Sequence, residues 1–377
     1  MTFGCILTHS RQAYACAGVI NFGMHCHLLL PDLFWPALDF PDIYRGLDTP
    51  ALERLLAKGR RHAAAEAAET EAPAGTSAEA WLCGRFGVDK QADWPAAPYS
   101  LLADGGEPGK HHWLRADPVH LRLEGNRLVL ADSGVFPVSQ QEAESLADSL
   151  NAHFSRDGLV FYPLRPDRWY LRAAQAPALE TTPLAQAAGR SIDALLPRGA
   201  DAPAWRARMN DIQMLLHGHA VNEQREAAGQ LPINSVWLWG GGTIADAVPG
   251  PFNAVWSGDP LAAGLAQAAR IAAQNLPEDA AALLRAGAGT GVNLILLERL
   301  RSAAQYGDAH GWRESLAQLE RDWFAPLLDA LRQERIGMLS LHALGPGGAV
   351  SVETTRGDLR RFWRRTKPLA SYVDGSS

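Results

Sequence analysis

One stretch of the chain, residues 217–242, most constrains what this sequence can fold into. It ends with an apolar run from Ile233 to Trp239 and then three consecutive glycines. The pattern predicts a helix that ends at Gly229, a proline turn, a buried strand and a loop. Glycines that follow a strand let the backbone approach a neighbouring group closely, and they leave its amides free to donate.

The same stretch carries the donors that a planar, multiply charged oxyanion needs: guanidinium, amide and backbone N–H groups. The structural alternative is that these donors only hold the helix, turn, strand and loop together. Both hypotheses stay open at this point. The candidate ligand-binding residues are Asn222, Arg225, Asn234, Gly240, Gly241 and Gly242.

A longer motif begins at His219 and reads His-x-Val-Asn-x-x-Arg-x-x-x-Gly-x-x-Pro-x-Asn-x-x-Trp-Leu-Trp-Gly-x-Gly. Upstream, the runs at 131–134, 138–143 and 161–163 continue the pattern. Residues 110–270 thereby resemble the archaeal-type, 2,3-bisphosphoglycerate-independent phosphoglycerate mutases of the alkaline-phosphatase superfamily. Over the whole chain, the sequence also resembles a proteobacterial group of RpfE-type regulatory proteins.

This resemblance implies an α/β fold with an alkaline-phosphatase-like core sheet flanked by helices and a smaller α/β insert domain. The core would comprise residues 24–110 and 245–377, and the insert, or substrate domain, residues 111–244. Strands that alternate with helices along the chain favour the same class. Because the resemblance starts at residue 24, we expect residues 1–23 to be disordered or an over-extended start.

A second group of cationic residues predicts an anionic pocket. His120 and Arg122 share one face of a predicted strand, since alternate residues of a strand point the same way. The resemblance implies that Arg168 faces the substrate. Together with Arg225, these side chains would line the pocket; the alternative is a sheet edge held by salt bridges.

The resemblance also implies two metal ions and a Ser or Thr that carries a phosphoryl group. Divalent cations favour carboxylate oxygens, with imidazole acceptable to manganese or zinc. Most of the expected ligands are missing, and Thr49 is the one candidate for the phosphoryl carrier. Thr49 and Asp308 also suit a helix N-cap. The remnant metal-ligand candidates are Asp32, Asp308, His310 and His342.

Composition excludes several classes of protein. A net charge of −6 argues against a nucleic-acid surface, and the one basic run, 360–367, is more typical of a helix end. We find no apolar run of the ~18–20 residues that span a bilayer, and no membrane partner is expected. Four cysteines in 377 residues do not make a disulfide framework. With no signal-peptide pattern, the expected location is the cytoplasm.

Three functional hypotheses follow. The first is a catalytically degenerate, regulatory relative of the mutases that binds an anionic or phosphorylated metabolite or a protein partner and needs no cofactor. The second is an active, manganese- or zinc-dependent mutase whose diverged site uses the four metal-ligand candidates and Thr49. The third is a structural or interaction module in which the glycine triplet only packs against the sheet.

Overall fold

A computed structural model describes residues 23–36, 40–62, 77–286, 291–345 and 348–373. The expected extra start at residues 1–22 and most of the Ala/Glu-rich segment 62–78 lie outside the described residues, as do Cys5 and Cys16. Cys26 and Cys83 are buried as free thiols.

The described residues form twelve strands in two sheets. The strands are β1 (Met24–Leu30), β2 (Arg60–His62), β3 (His112–Glu124), β4 (Arg127–Ala131), β5 (Leu159–Arg165), β6 (Arg168–Ala173), β7 (Ser235–Gly242), β8 (Ala254–Trp256), β9 (Ala272–Gln274), β10 (Val292–Leu296), β11 (Ile336–Gly345) and β12 (Gly348–Thr355). The larger sheet has the order β2-β12-β11-β1-β10-β8-β9. The smaller has the order β4-β3-β6-β5, with β7 also paired to β3.

Helices cover the sheets. They are α1 (Pro50–Lys58), α2 (Ala78–Arg85), α3 (Ala96–Ala103), α4 (Gln140–Phe154), α5 (Leu184–Ala187), α6 (Ala202–His217), α7 (Ala220–Ala227), α8 (Pro260–Ala268), α9 (Ala280–Arg285), α10 (Arg301–Gln305), α11 (Ala309–Leu319) and α12 (Ala325–Arg332). The sequence pattern predicts a long amphipathic helix over 312–334 that Pro326 kinks or divides. A π-helical turn, Glu320–Phe324, divides it into α11 and α12, as predicted.

The predicted α/β class is confirmed. Strand β1 lies at the centre of the larger sheet, parallel to both β10 and β11. Its alternate residues enter two different cores: Cys26 and Leu28 pack with α1, α11 and α12, whereas Leu29 packs on the opposite side, with α2 and α8. The strands of the smaller sheet all fall between residues 112 and 242. The domain division itself stays a prediction.

Two local predictions are wrong. The glycine triplet is the end of strand β7 rather than a loop, with all eight residues of the strand buried. The sequence pattern predicts a helix over 261–275, but this helix ends earlier because Arg270 has a left-handed φ of 58°. The Ile271 amide then donates to the Ala266 carbonyl at 2.9 Å, a bond typical of helix C-termini, and the chain continues into β9.

Other local predictions are confirmed. The spacing of Ser139 and Glu142 predicts a capping box, and the two residues form one at the start of α4, with each side chain accepting from the other residue's backbone. The sequence pattern also predicts a strand at 25–30, a strand, turn and strand over 121–130, and a late strand at 336–342; β1, the hairpin of β3 and β4, and β11 lie there. Across the described ranges, we find no helix with the length and apolar character that crossing a bilayer requires.

Candidate functional site

Acidic side chains collect at one edge of the larger sheet. The parallel strands β1, β8 and β10 all end there. Asp32 follows β1, Asp259 follows β8 and Glu298 follows β10. Ligands of α/β sheets commonly bind in the crevice beyond the carboxyl ends of the strands, so this edge is the candidate site.

A single guanidinium lies among these carboxylates. Arg301, the first residue of α10, forms an ion pair with Glu298, and its Nε nitrogen lies 3.8 Å from an Asp32 carboxylate oxygen. That nitrogen is buried and makes no hydrogen bond within the described residues. Asp259 and Glu79, the second residue of α2, also attract Arg301. One positive charge therefore faces four carboxylates, which we call the Arg301 cluster.

The Arg301 cluster holds protons more tightly than ordinary carboxylates do. Burial raises the pKa of Glu298 to about 7; Arg301 opposes the rise and the neighbouring carboxylates reinforce it. Burial also raises the pKa of Asp32, against the attraction of Arg301 and Arg190. The cluster therefore carries less negative charge near neutral pH than four carboxylates would carry in water.

The two metal ions that the family resemblance implies do not fit this cluster. Among the residues that the structure describes, no three His, Cys, Asp or Glu side chains are arranged to hold a metal ion. Arg301 supplies the positive charge instead. A guanidinium neutralises carboxylates, but it cannot coordinate a hydroxyl and lower its pKa as a metal ion does.

Two of the remnant metal-ligand candidates, Asp308 and His310, lie at the start of α11. Asp308 caps this helix, accepting a hydrogen bond from the Gly311 amide at 2.9 Å. His310 is 85% exposed and pairs with Glu314 one turn later at 3.4 Å. The capping role that the sequence offered as the alternative for Asp308 is the one observed.

His342 lies in the larger sheet, paired with another histidine. Its Nε2 is 3.0 Å from Nδ1 of His27, and its Nδ1 is 2.9 Å from the Ser351 hydroxyl. The indole of Trp81 packs over it at 4.8 Å between ring centres. Burial, together with the charges of Arg85 and His25, lowers the pKa of His27 to about 4. The two imidazoles thus share one hydrogen bond inside the protein, and burial favours the neutral form of His27.

Thr49 is at the N-cap position of α1, but its hydroxyl does not cap the helix. The carboxylate of Glu320 does so instead, accepting from the amides of Ala51 at 2.6 Å and Leu52 at 3.1 Å. The Thr49 hydroxyl is buried and makes no hydrogen bond with the described residues. The predicted Thr49 cap is therefore wrong, and the helix start is satisfied from the π-helical turn.

Asn222 and Arg225, the two strongest anion-binding candidates, use their side chains inside the protein. The Asn222 amide bridges the backbone of Leu216 and Ile233 through three bonds of 2.7–2.9 Å. Arg225 is 2% exposed and bonds to Glu142 at 2.8 Å and to two carbonyls. Both residues stabilise the junction between α6, α7 and β7.

Three further candidates are also held internally. Asn234 pairs with both backbone groups of Leu121 at 2.7 and 2.8 Å, and a ring nitrogen of His120 contacts the Pro232 carbonyl at 2.8 Å. Arg122 is half exposed and its guanidinium pairs with Glu124. The structure therefore gives each of these residues its own partner rather than bringing them to one pocket with Arg168 and Arg225.

Arg168 forms a bidentate ion pair with Asp104, at 2.8 and 2.9 Å. The Tyr170 hydroxyl donates to the same carboxylate at 2.7 Å. Although burial alone would raise it, the pKa of Asp104 is lowered by these hydrogen bonds and by the positive charges of Arg168 and Arg115. The guanidinium is 28% exposed, so this predicted substrate-facing residue keeps only a small open surface.

The glycine triplet lets the β7 backbone pack closely against neighbouring segments of the protein. Gly240 has a φ of 67°, and its amide donates to the Thr181 hydroxyl at 3.1 Å. The Gly241 amide donates to Asp93. A Cβ at Gly242 would lie 2.5 Å from the Cβ of Pro95. Two of the three amides are thus used internally, and the roles predicted for all nine ligand-binding residues remain predictions.

Arg115 and Asp117 form a buried ion pair that the sequence did not reveal. Two guanidinium nitrogens lie 2.7 and 3.0 Å from one Asp117 oxygen, and the Trp239 indole donates to the other at 2.7 Å. The Arg115 guanidinium also lies over the rings of Trp239 and Tyr170, at 5.1 and 5.3 Å. This network fixes β7 against the centre of the smaller sheet.

A cavity of about 160 Å³ lies next to the Arg301 cluster. Its walls come from the start of α2, the segment before α3, residues 180–183 and the end of β7. Asp93 ties these parts together, because its carboxylate accepts from both the amide and the hydroxyl of Thr181. Glu79 belongs to both the cavity wall and the Arg301 cluster.

Sequence reasoning missed most of this site, although one signal was present. Glu298 follows the apolar run 294–297 in the same way that Asp32 follows β1. Acidic residues after buried strands indicate the carboxyl edge of a parallel sheet, and this rule would have found Asp259 also. Nothing in the local sequence indicates that Arg301 meets them.

No protein-family model matches the chain. A 2,3-bisphosphoglycerate-independent phosphoglycerate mutase of Methanosarcina mazei is 30% identical over 205 residues, which are 53% of this chain and 50% of that protein. A probable mutase of the same kind from Geobacter sulfurreducens is 27% identical over 197 residues, 52% and 49% of the two chains. The chain is related to these mutases. It spans about half the length of the relatives it matches.

Two solved structures resemble the fold. A cofactor-independent phosphoglycerate mutase from Thermoplasma acidophilum has a TM-score of 0.43 and 16% identity, with 93% of this chain and 94% of that chain covered. A protein from Pyrococcus horikoshii has a TM-score of 0.49 and 13% identity, with coverage of 88% and 87%. The resemblance to RpfE-type regulatory proteins stays a prediction.

Proposed function

We propose that this protein is a non-catalytic relative of the phosphoglycerate mutases, which binds an anionic or phosphorylated metabolite in a regulatory role. The observation that carries the proposal is the position of Arg301. Its guanidinium lies between Glu298 and Asp32, where the parallel strands end. The guanidinium thus occupies the space between two carboxylates that a bridging metal ion would need, and it neutralises part of their charge.

The electrostatics support a binding role rather than phosphoryl transfer. Two divalent cations would bring four positive charges to a transferring phosphoryl group, and they would activate its attacking hydroxyl. Arg301 brings one positive charge, which is already paired with the neighbouring carboxylates. The Thr49 hydroxyl lies at the start of α1, where the Glu320 carboxylate caps the helix.

Exposed cationic side chains near the cavity and the Arg301 cluster are available for an anionic ligand. Lys90 and Arg198 line the mouth of the 160 Å³ cavity, and both are exposed. Arg190 is also exposed and acts on Asp32. Guanidinium and ammonium groups are the usual partners of phosphate and carboxylate. A protein partner with an acidic surface would use the same three residues.

The proposal is tested by turnover and by metal binding with the purified full chain. We expect no conversion of 3-phosphoglycerate with manganese, zinc or magnesium, and no tight site when metal-stripped protein is titrated calorimetrically with manganese. Turnover within the ordinary enzymatic range, about 1–1000 per second, would overturn the proposal. Two tight manganese sites would instead favour the hypothesis that the protein is an active, metal-dependent mutase.

A further inference from the structure

The cavity beside the Arg301 cluster separates two kinds of charge. Its volume of 160 Å³ corresponds to roughly five water molecules at ~30 Å³ each, enough for a small metabolite. Two carboxylates, Glu79 and Asp93, are 8% and 7% exposed and form its inner wall. Two cations, Lys90 and Arg198, and one carboxylate, Glu180, are exposed at its rim. The two buried carboxylates therefore lie deeper than the rim, where cations outnumber carboxylates.

The two inner carboxylates differ in how many further hydrogen bonds they can accept. Asp93 is occupied by the amide and hydroxyl of Thr181 and by the Gly241 amide. Glu79 bonds with Ser77 at the start of α2 and shares the attraction of Arg301 with three other carboxylates. Glu79 thus has spare capacity to accept hydrogen bonds from a cationic group in the cavity.

The burial of Glu79 favours the binding of such a cationic group. A buried carboxylate loses its hydration, and a cation that donates hydrogen bonds to it restores part of the lost free energy. Part of the remaining wall is apolar, from Ala96, Pro183 and the ring of Trp239. A ligand that fits is therefore short and amphipathic, with its positive end inside and its negative end at the rim.

We propose that the cavity binds a small zwitterion, with an ammonium group at Glu79 and a phosphate or carboxylate at Lys90 and Arg198. This inference rests on the proposed binding function, and it narrows the ligand from any anionic metabolite to one that also carries a cationic amine. Phosphate and carboxylate share the chemistry that the rim recognises, so the experiment compares them.

Calorimetric titration of the full chain tests the proposal with four probes. Phosphoethanolamine and β-alanine carry both charges; ethanolamine carries only the positive one, and inorganic phosphate only the negative one. We expect at least one zwitterion to bind ~10-fold or more tightly than either single-charge probe, which corresponds to about 1.4 kcal/mol. A preference between the two zwitterions then identifies the anionic group.

Two variants assign the ends of the ligand. Glu79→Gln should weaken zwitterion binding ~10-fold and leave phosphate binding unchanged, whereas Arg198→Gln should weaken both. The matched controls, Glu314→Gln and Arg332→Gln, remove exposed charges on α11 and α12 and should change neither. Arg198 is exposed, so its variant is expected to fold even where Glu79→Gln does not.

Several outcomes separate this inference from the proposed function. If the zwitterions bind no more tightly than ethanolamine or phosphate, the zwitterion inference is wrong. Phosphate binding that depends on Arg198 would in that case still support an anion-binding protein. Unchanged zwitterion affinity in both variants would also overturn the inference. Conversion of 3-phosphoglycerate would instead overturn the proposed function, whatever the zwitterions do.

Discussion

The Nε nitrogen of Arg301 lies 3.8 Å from the carboxylate of Asp32, at the edge where the parallel strands of the larger sheet end. Four carboxylates from separate segments of the chain attract Arg301 there. Besides Asp32 they are Glu79, Asp259 and Glu298. At this position the guanidinium neutralises part of the carboxylate charge that would otherwise attract a divalent cation. The chain itself thus balances part of the charge of the site.

Removal of Arg301 should expose this balance. Arg301→Ala leaves the carboxylates unpaired, so we expect loss of about 1–3 kcal/mol of unfolding free energy, less than for a fully buried pair because the cluster is partly exposed. We also expect manganese to bind with a dissociation constant below ~1 mM, measured by calorimetry on metal-stripped protein.

The neighbouring Arg299 provides the control for Arg301. It forms an exposed ion pair with Asp322 at 3.1 Å, so Arg299→Ala should cost little stability and create no metal site. A folded Arg301→Ala variant that binds manganese no better than the wild type would show that the guanidinium does not keep metal out.

The buried pair of Arg115 and Asp117 should dominate the stability of the smaller sheet. The two residues are 5% and 0% exposed. Asp117→Ala leaves a buried guanidinium without its partner and should lower the unfolding free energy by about 3–5 kcal/mol, measured by urea denaturation. Glu124→Ala breaks an exposed pair with Arg122 and should change it by about 0–1 kcal/mol. Equal effects of the two variants would contradict this assignment.

Local signals in the sequence predicted many elements of this fold. The capping box of Ser139 and Glu142 marked the start of α4, and Pro326 marked the division between α11 and α12. These features depend on residues a few positions apart, so the sequence reveals them directly. The helix expected through Arg270 failed because a single left-handed residue ended it.

The site was less predictable because it depends on distant partners. Asn222 and Arg225 were recognised correctly as strong donors, but a sequence does not show which acceptor they meet. Here the acceptors are backbone carbonyls and Glu142. Arg301 and Asp32 are about 270 positions apart, and only the folding of the parallel sheet brings them together.

The buried hydroxyl of Thr49 distinguishes a structural residue from a phosphoryl carrier. It makes no hydrogen bond with the described residues, so Thr49→Val should raise the unfolding free energy by about 1 kcal/mol. The contrasting variant is Thr354→Val, because the Thr354 hydroxyl donates to the Leu55 carbonyl at 3.3 Å and its loss should destabilise the protein. If Thr49→Val abolished a measurable mutase activity, Thr49 would be catalytic after all.

The histidine pair predicts a pH dependence of stability. Burial lowers the pKa of His27 from 6.5 to about 4, so the unfolded chain binds more protons than the folded chain between these values. The stabilising contribution of the neutral imidazole is therefore complete above pH 6.5 and decreases as the pH falls towards 4. Over that range the loss should reach about 3 kcal/mol.

The variant His27→Leu isolates this contribution, since other titrating groups are common to both proteins. The difference in unfolding free energy between wild type and variant should change by about 3 kcal/mol between pH 7 and pH 4, with the variant losing less on acidification. His310→Ala, which removes an exposed imidazole, should follow the wild type. Parallel pH profiles of the wild type and His27→Leu would show that burial does not hold His27 in its neutral form.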